Sequence, residues 1–541
     1  MTHLPPADRL ATHSVENQPG PPPPPDLWGA DVSLRAGVTA QGGDADALAA
    51  AAARFGSARA RSDGEEARRD APRLALFDRG GRRLDEVRFA PGYHALMQAG
   101  MEAGYAAVAW EGRPGGHVTH AAMVYLLSQV EPGVCCPLTM TYAGVPALEA
   151  EPELAAEWVP KLTARTYDPA IAPIHEKRAA TLGMAMTEKQ GGSDVRANTT
   201  RAERDGDLWR LTGHKWFCSA PMSDGFLTLA QTEAGLTCFL VPRWLEGARN
   251  AIRLQRLKDK LGNRANASAE IEYQGARAHR LGEEGQGVRT IIRMVHHTRL
   301  DTAMAPAGLM RAALTEALWW VEGRRTFQKR LIDQPLMRAV LADLALDWEG
   351  ALAAGLRAAR AFDGAGEGDR ALARISVALA KYLSNKRAVP VIGEAMEVLG
   401  GMGYVEDTPL PMLYREAPLN GIWEGSGNVI CLDILRTLAR EPAAAEALEA
   451  EFDAARGAEP AFDRALAAHR ERWPGLPPEA EARWFAESLG ALFTASVLIR
   501  TAPEAVAAGY ARTRLGAPRG LMPGAVAGLD ETAILDRLAA G

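Results

Sequence analysis

The sequence predicts an α+β protein in which helical blocks flank one compact β unit. Three observations carry the prediction. Apolar residues recur with helical spacing from about 86 to 163, best seen in HALMQAGMEAGYAAVAW and HAAMVYLLSQVE. After Gly183 the period changes to short runs, DLWRLTG, HKWFCSA, GFLTLAQT and GLTCFLVPR, rich in β-branched and aromatic residues and separated by Gly, Pro and Asp. Long helical windows return from about residue 286. This order is not the βαβ alternation of a dinucleotide-binding fold. No G-x-G-x-x-G follows a strand and no P-loop occurs.

Each segment has its own signal. Residues 1–40 hold QPGPPPPPDLW, whose five prolines from Pro21 predict an extended, semi-rigid arm, either a surface linker or a ligand for a proline-reading partner. Residues 41–180 predict an N-terminal helical domain, with an Ala-, Arg- and Glu-rich helix over 44–72 and a helical pattern from about 86 to 163. Residues 181–285 predict the β unit, in which ASAEIEYQG alternates as a late strand. Residues 286–440 predict a helical bundle. Its first helix carries a kink at Pro306, and two more run at about 334–362 and 370–399 on either side of DGAGEGD. GGMGY breaks the pattern before GSGNVICLDILRTLA, which Ser426 or Asn428 caps and whose face is Ile430, Ile434, Leu435 and Leu438. Residues 441–541 predict an additional Ala-rich helical domain.

Bulk composition narrows the function. The 541 residues carry 61 Lys and Arg against 67 Asp and Glu, a net charge of −6, which argues against a nucleic-acid or anionic-membrane protein. Of the five cysteines, Cys135 and Cys136 are adjacent, and the spacings fit neither a disulfide framework nor a zinc site, so a reducing, cytoplasmic setting is expected. MTHLPPADRL lacks the pattern of a secretory signal, and no apolar run is long enough to span a bilayer. His296 and His297 are adjacent and point apart on a helix, so no metal site is expected.

MAMTEKQGGSDVRANTT, Met184 to Thr200, is the stretch with the most chemistry. Gly191 and Gly192 bare backbone N–H groups beside the hydroxyls of Thr187 and Ser193, as a carbonyl-rich or anionic ligand requires. Gly-Gly-Ser-Asp is also ordinary turn chemistry, and the stretch alone leaves both readings standing. Taken with GHKWFCSAP and IWEGSGN, in this order and at these intervals, it resembles the acyl-CoA dehydrogenase flavoprotein family. RLKDKLGNRANAS and AMEVLGG place the resemblance in the AidB-like, adaptive-response branch.

The resemblance implies an N-terminal helical domain, a middle β-barrel and a C-terminal four-helix bundle, followed by the extra helical segment, with FAD where barrel meets bundle. Met184, Thr187, Gly191, Gly192 and Ser193 match positions around the flavin. Phe217, Cys218 and Ser219 match the strand beside it, with Cys218 where many relatives carry a threonine that bonds the flavin edge. Ile422, Trp423, Gly425, Ser426, Gly427 and Asn428 match the loop on its other side. Thr187, Ser193, Ser219 and Arg299 match substrate-side positions. Arg324 and Phe327 of RRTF match residues that reach a neighbouring subunit's FAD, which implies a homotetramer. Glu397 stands where relatives have a glutamine near the pyrophosphate and is not assigned to the site.

Glu424 matches the catalytic base of α,β-dehydrogenation of an acyl-CoA, with electrons passing to a further acceptor. The alternative base position of the family holds Thr298, which cannot serve. The AidB-like branch also implies a second role, duplex DNA binding and protection in the alkylation response, with weak or vestigial dehydrogenase activity. Residues 441–541 carry 10 Arg and Lys against 15 Asp and Glu, which opposes broad DNA binding. Arg512, Arg514 and Arg519 nevertheless lie in an acid-free stretch, and Arg436 follows the cofactor loop.

Overall fold

The computed structural model describes residues 4, 6–245, 247–516 and 519–539. The N-terminal arm runs without helix to Val32–Gln41, and further helices follow at Ala45–Phe55, Ala58–Arg69, Pro91–Ala103, Gly116–Ser128, Pro132–Ala143 and Pro152–Leu162. A hairpin, Arg73–Phe77 with Arg83–Arg88, interrupts them. The sequence reading missed it, although LALF and RLDEV flank a Gly80–Gly81 turn that Asp78 holds through the N–H groups of Gly80 and Arg82. The hairpin is anchored to the β unit. Asp85 accepts from Leu254 N–H at 2.9 Å and Arg83 donates to Leu254 O at 2.9 Å.

The β unit closes on itself. Ser268–Leu281 pairs with Gly235–Pro242 at one end and with Leu208–Ser219 along most of its length. Gly225–Thr232 and Leu182–Ala185 complete the ring, giving a five-stranded barrel with Arg201–Asp205 and Ile252–Leu257 as additional strands. DLWRLTG and HKWFCSA, read as two strands, form one long strand. Gly213, at φ +155°, lies against Thr200, where a Cβ would stand 2.5 Å from its hydroxyl.

One buried ion pair organises the motif loop on this barrel. Lys215 Nζ meets Glu188 Oε1 at 2.8 Å, and both side chains are fully buried. Glu188 also accepts from Thr199 N–H at 2.7 Å and Thr200 N–H at 3.2 Å, so its carboxylate ties the chain on either side of Gly191 and Gly192. Burial alone raises its pKa, but the Lys215 charge and these hydrogen bonds outweigh it and hold the carboxyl at about 2.

The C-terminal half is helical. Gly287–Gly323, Pro335–Asp363, Glu367–Val398 and Gly427–Arg440 pack together. The first runs through Pro306 without a break. Pro306 cannot donate to Thr302 O, and Asn385 Nδ2 supplies the missing donor at 2.9 Å, while Ser384 Oγ bonds Ala303 O at 3.1 Å. The two long helices are thereby fixed in register. Among the described residues, Pro442–Asp453, Ala482–Thr501, Glu504–Arg514 and Glu531–Ala539 lie against the bundle, and Pro460–Arg472 packs on Ala482–Thr501 and Glu504–Arg514. Among the described residues no helix is long and apolar enough to cross a membrane.

Glu188→Gln leaves Lys215 buried without its carboxylate and is expected to cost about 3–5 kcal/mol of stability, read from thermal or urea unfolding. Replacing both residues by Met recovers most of that loss. Glu188's contribution is full above its ordinary pKa of 4.5 and fades as pH falls toward its folded value of about 2. On the alkaline side burial lowers the Lys215 ammonium to about 8, so the pair loses its positive charge as pH rises past that value.

Candidate active site

A chamber opens where the barrel meets the helical segments. Its polar wall includes Ser219, Thr298, Asp301, Asn420 and Glu424, and its apolar wall includes Val124, Pro132, Met140, Ala305 and Trp423. A larger cleft of about 1090 Å³ lies elsewhere, between Pro19–Pro25, Arg61–Arg69 and Thr408–Arg415, and shares only Glu416 with the chamber.

Glu424 is set by its backbone. It holds φ +57°, the left-handed region that non-glycine residues seldom occupy, and Gly425 follows at φ +105°. Side chains from two helices hold this turn. Arg299 Nε donates to Glu424 O at 3.0 Å, and Lys381 Nζ donates to Asn420 O at 2.7 Å and Gly425 O at 3.2 Å. Arg299 also meets Asp433 at 2.7 Å. The side chain ends inside the chamber, and among the described residues no donor reaches Glu424 Oε2, which is buried. Burial raises the carboxyl pKa above its ordinary value. Thr298, Lys381 and Arg299 pull it back, and Asp301 pushes the same way as burial.

Asp301 closes another side of the chamber. It is buried and accepts from His120 Nε2 at 2.7 Å and from Tyr105 and Thr139 hydroxyls. His296 stacks on Phe362 and His297 Nδ1 pairs with Arg293 O at 2.9 Å, so both are packed.

Across from Glu424 the barrel presents Phe217 and Ser219, and here the structure corrects the sequence. Cys218 pairs with Ala269 but Lys215 pairs with Ile271, so the strand carries one extra residue between them, a β-bulge. Lys215 and Cys218 both point into the barrel, and Cys218 is wholly buried among residues such as Phe226, Phe239 and Ile271. Its thiol therefore cannot bond a ligand in the cleft. Ser219, beside Met184 in the sheet, lines the chamber instead. Phe217 stays 44% exposed, with Lys258 Nζ 4.6 Å from its ring centre. On the motif loop, Gly192 lies so close to Thr187 that a Cβ would sit 2.5 Å from its hydroxyl, and Gly192 and Ser193 are exposed.

Four other expectations change. Arg299 is no open substrate contact, because Glu424 O and Asp433 occupy its guanidinium. Ser426 stands at the helix start but makes no capping bond, and Asn428 Oδ1 accepts from Arg483 Nε at 2.7 Å. Arg514 and Arg519 turn inward onto Asp343, and Arg514 also onto Asp347, so the patch with Arg512 is acid-free only in sequence. Arg436 is exposed and lies 3.7 Å from Asp433. Arg324 donates to Asn17 O at 2.7 Å, which ties the proline arm down, while Phe327 is 94% exposed at the tip of a tight hairpin. Ile422 is 64% exposed and Trp423 Nε1 bonds Asn420 Oδ1 at 3.0 Å.

Sequence reasoning missed Lys381 altogether. It sits mid-helix in ALAKYLSNK, and nothing local marks it, since its partners are carbonyls some 40 residues on.

A barrel set between helical segments, with a carboxylate in the chamber between them, is the architecture of the acyl-CoA dehydrogenase family. The acyl-CoA dehydrogenase middle-domain model matches residues 183–276 and the C-terminal-domain model residues 285–439. The AidB N-terminal-domain model matches residues 17–169, and the chain belongs to the AidB branch of the acyl-CoA dehydrogenase family. It is 47% identical to AidB of Escherichia coli (strain K12), described as an acyl-CoA dehydrogenase without a proven activity, over 84% of this chain and 86% of that one. It is 35% identical to acyl-CoA dehydrogenase family member 11 of Caenorhabditis elegans, over 69% of this chain and 63% of the relative. The crystal structure of Caenorhabditis elegans ACDH-11 in complex with C11-CoA superposes with a TM-score of 0.84 at 27% identity, over 99% of this chain and 97% of that one. The Bd2924 apo-form superposes with a TM-score of 0.80 at 30% identity, over 91% and 99%.

The bulge yields a test. Cys218→Ser buries a hydroxyl in an apolar interior and is expected to cost about 1–3 kcal/mol in unfolding experiments. Ser219→Ala, on the cleft side, is expected to stay within about 0.5 kcal/mol of the parent.

Proposed function

We propose that the protein is an FAD-dependent dehydrogenase that removes the α and β hydrogens of an acyl-CoA thioester, with Glu424 as general base. The observation that carries this reading is the buried, unpartnered Oε2 of Glu424 in the chamber. The α-C–H of a thioester is a weak acid. A desolvated carboxylate with a raised pKa is a strong enough base to take its proton, and burial gives Glu424 that character. The Glu424 backbone N–H is the protein's donor to the thioester oxygen, where charge develops. The acyl-CoA class is supported by the nematode structure, which was solved with C11-CoA.

FAD, when bound, supplies the acceptor for the β-hydrogen. The residues fit a flat, partly apolar group. Phe217 and Ile422 leave apolar surface uncovered, and Gly192, packed against Thr187 with no room for a Cβ, lets the exposed backbone of its loop come close to a ligand. Met184, Thr187, Gly191, Gly192, Ser193, Phe217 and Ser219 hold the flavin from the barrel. Ile422, Trp423 and Gly425 to Asn428 hold it from the bundle. Thr187, Ser193 and Ser219 also line the substrate side. Electrons leave to a separate acceptor in the cytoplasm.

The exposed Phe327 supports a homotetramer built as a dimer of dimers, in which Phe327 reaches a neighbour's FAD. Duplex DNA contact is at most weak. Arg514 and Arg519 are spent on Asp343 and Asp347, which leaves Arg512 and Arg436 on the surface.

Glu424→Gln is nearly isosteric. It is expected to retain FAD and ligand and to slow anaerobic flavin reduction by acyl-CoA roughly 10²–10⁴-fold. In the parent, the reduction rate is expected to rise with pH through an apparent pKa above the ordinary carboxylate range. A Gln variant reduced as fast as the parent removes Glu424 from the role. A parent reduced by no acyl-CoA in a panel of chain lengths and branches removes the dehydrogenase reading.

Light scattering of the FAD-loaded protein is expected to give the tetramer mass, and Phe327→Ala to shift it toward smaller species. An FAD-loaded monomer contradicts the shared site.

A further inference from the structure

We propose that Lys381 is the positioning residue for Glu424: its ammonium, inside the protein, fixes the left-handed turn that aims the carboxylate into the chamber and provides the charge against which that carboxylate ionises. The proposal rests on the reading of Glu424 as the base.

Three observations carry it. Lys381 is 2% exposed, yet among the described residues no carboxylate lies within ion-pair distance of its Nζ. A buried ammonium without an acid partner is costly and persists only where other groups compensate. Two other buried lysines have carboxylates: Lys215 has Glu188 at 2.8 Å and Lys177 has Asp224 at 3.0 Å. Lys381 has instead the carbonyls of Asn420 and Gly425, which bracket Trp423 and Glu424. The bonds therefore grip the chain on both sides of the residue at φ +57°.

The second observation concerns which positive charge Glu424 feels. Two cations stand near it, Arg299 and Lys381. Arg299 is paired at 2.7 Å with Asp433, which also takes Arg374. The Arg299 charge is thus compensated on the spot, and that of Lys381 is not.

The third is the mutual response of the two groups. Burial pushes the Lys381 ammonium down to about 7, and among its charged neighbours Glu424 opposes that shift, while Arg299 and Lys386 add to it. On the Glu424 side, Thr298, Lys381 and Arg299 oppose the effect of burial and Asp301 adds to it. Cys136, from the Pro132–Ala143 helix, and Glu416, from Leu410–Glu416, also line the chamber. When Glu424 takes a proton, Lys381 loses the negative charge that most favours its own charged form.

Deuterium exchange into acetyl-CoA tests this apart from oxidation, because an acetyl group has no β-hydrogen to lose. The α-C–H bond breaks, its proton goes to the Glu424 carboxylate, and a deuteron from D₂O returns by the same group. The holoprotein is compared with Lys381→Met, Lys381→Gln, Lys381→Arg and Glu424→Gln, across pH, by mass spectrometry or NMR.

Both neutral Lys381 variants are expected to keep the flavin spectrum. Their acid limb should move up by about one pH unit or more, because an opposite charge has been removed. Their plateau should fall roughly 10–100-fold, because the base is less well placed. Lys381→Arg is expected to return the limb toward the parent. Neutral variants with the parent's limb and plateau overturn the proposal. So does a failure of both to yield folded holoprotein, since that outcome assigns Lys381 a plain structural role. If Glu424→Gln or the parent defeats expectation, by exchanging as fast as the parent or not at all respectively, the reading of the base falls instead. If Glu424→Gln abolishes exchange and only the Lys381 variants behave as the parent, the positioning role alone falls.

Discussion

The left-handed backbone at Glu424 is the constraint on which the site depends. A non-glycine residue in that region costs on the order of 1–3 kcal/mol and persists only where its surroundings over-determine it. Here three carbonyls of one short loop, those of Asn420, Glu424 and Gly425, accept bonds from Lys381 and Arg299. Those donors come from two different helices, so the turn holds only if the helices are in register. Asn385 and Ser384 set the register by bonding Thr302 O and Ala303 O. The defect that Pro306 introduces into one helix is thus what lets a second helix lock onto it, within two turns of the residues that shape the chamber.

The barrel meets this loop with an equally specific irregularity. A regular strand from Lys215 would place Phe217 inward and Cys218 outward. The extra residue in the bulge turns Trp216 and Phe217 out together, returns Cys218 to the interior, and leaves Ser219 facing the chamber. Lys215, the last inward residue before the bulge, is also the partner of Glu188, which ties down the loop of Thr187 to Ser193. One buried ion pair therefore couples the two stretches of barrel that border the cleft. Removing its charge from either side leaves the other uncompensated.

Much of this was legible in the sequence, and the failures have physical causes. The change of period after Gly183 located the barrel; Ser219 and Glu424, from two of the motifs, line one chamber, and Met184 of the glycine motif pairs with Ser219 in the sheet. Motif spacing reports which segments meet, because it reflects constraints on the ligand. It does not report side-chain facing across a bulge, which is why Cys218 was placed outward. The Arg73–Arg88 hairpin was overlooked between helical windows, although its alternation and its Gly80–Gly81 turn were present. Arg299 read as a substrate contact because a local pattern cannot show Asp433, more than 130 residues away, beside it. Lys381 carried no local signal of any kind.

The same limit governs the C-terminal arginines, and their arrangement says what the last hundred residues do for the fold. A stretch that is basic in sequence is basic in space only if no acid is brought to it. Asp343, Asp347, Glu349 and Glu451 are all buried, and each is met by arginines from the C-terminal segment: Arg514 and Arg519, Arg514, Arg537, and Arg500. Buried acids left without those arginines would be costly, so the segment and the Pro335–Asp363 helix are interdependent. Charge is being used inward, to hold helices against the bundle. Arg483 extends the same logic to the site, because its bond to Asn428 secures the start of the helix that follows Glu424. The extra helices therefore brace the Glu424 loop through Arg483, while Lys381 and Arg299 hold it from within the bundle.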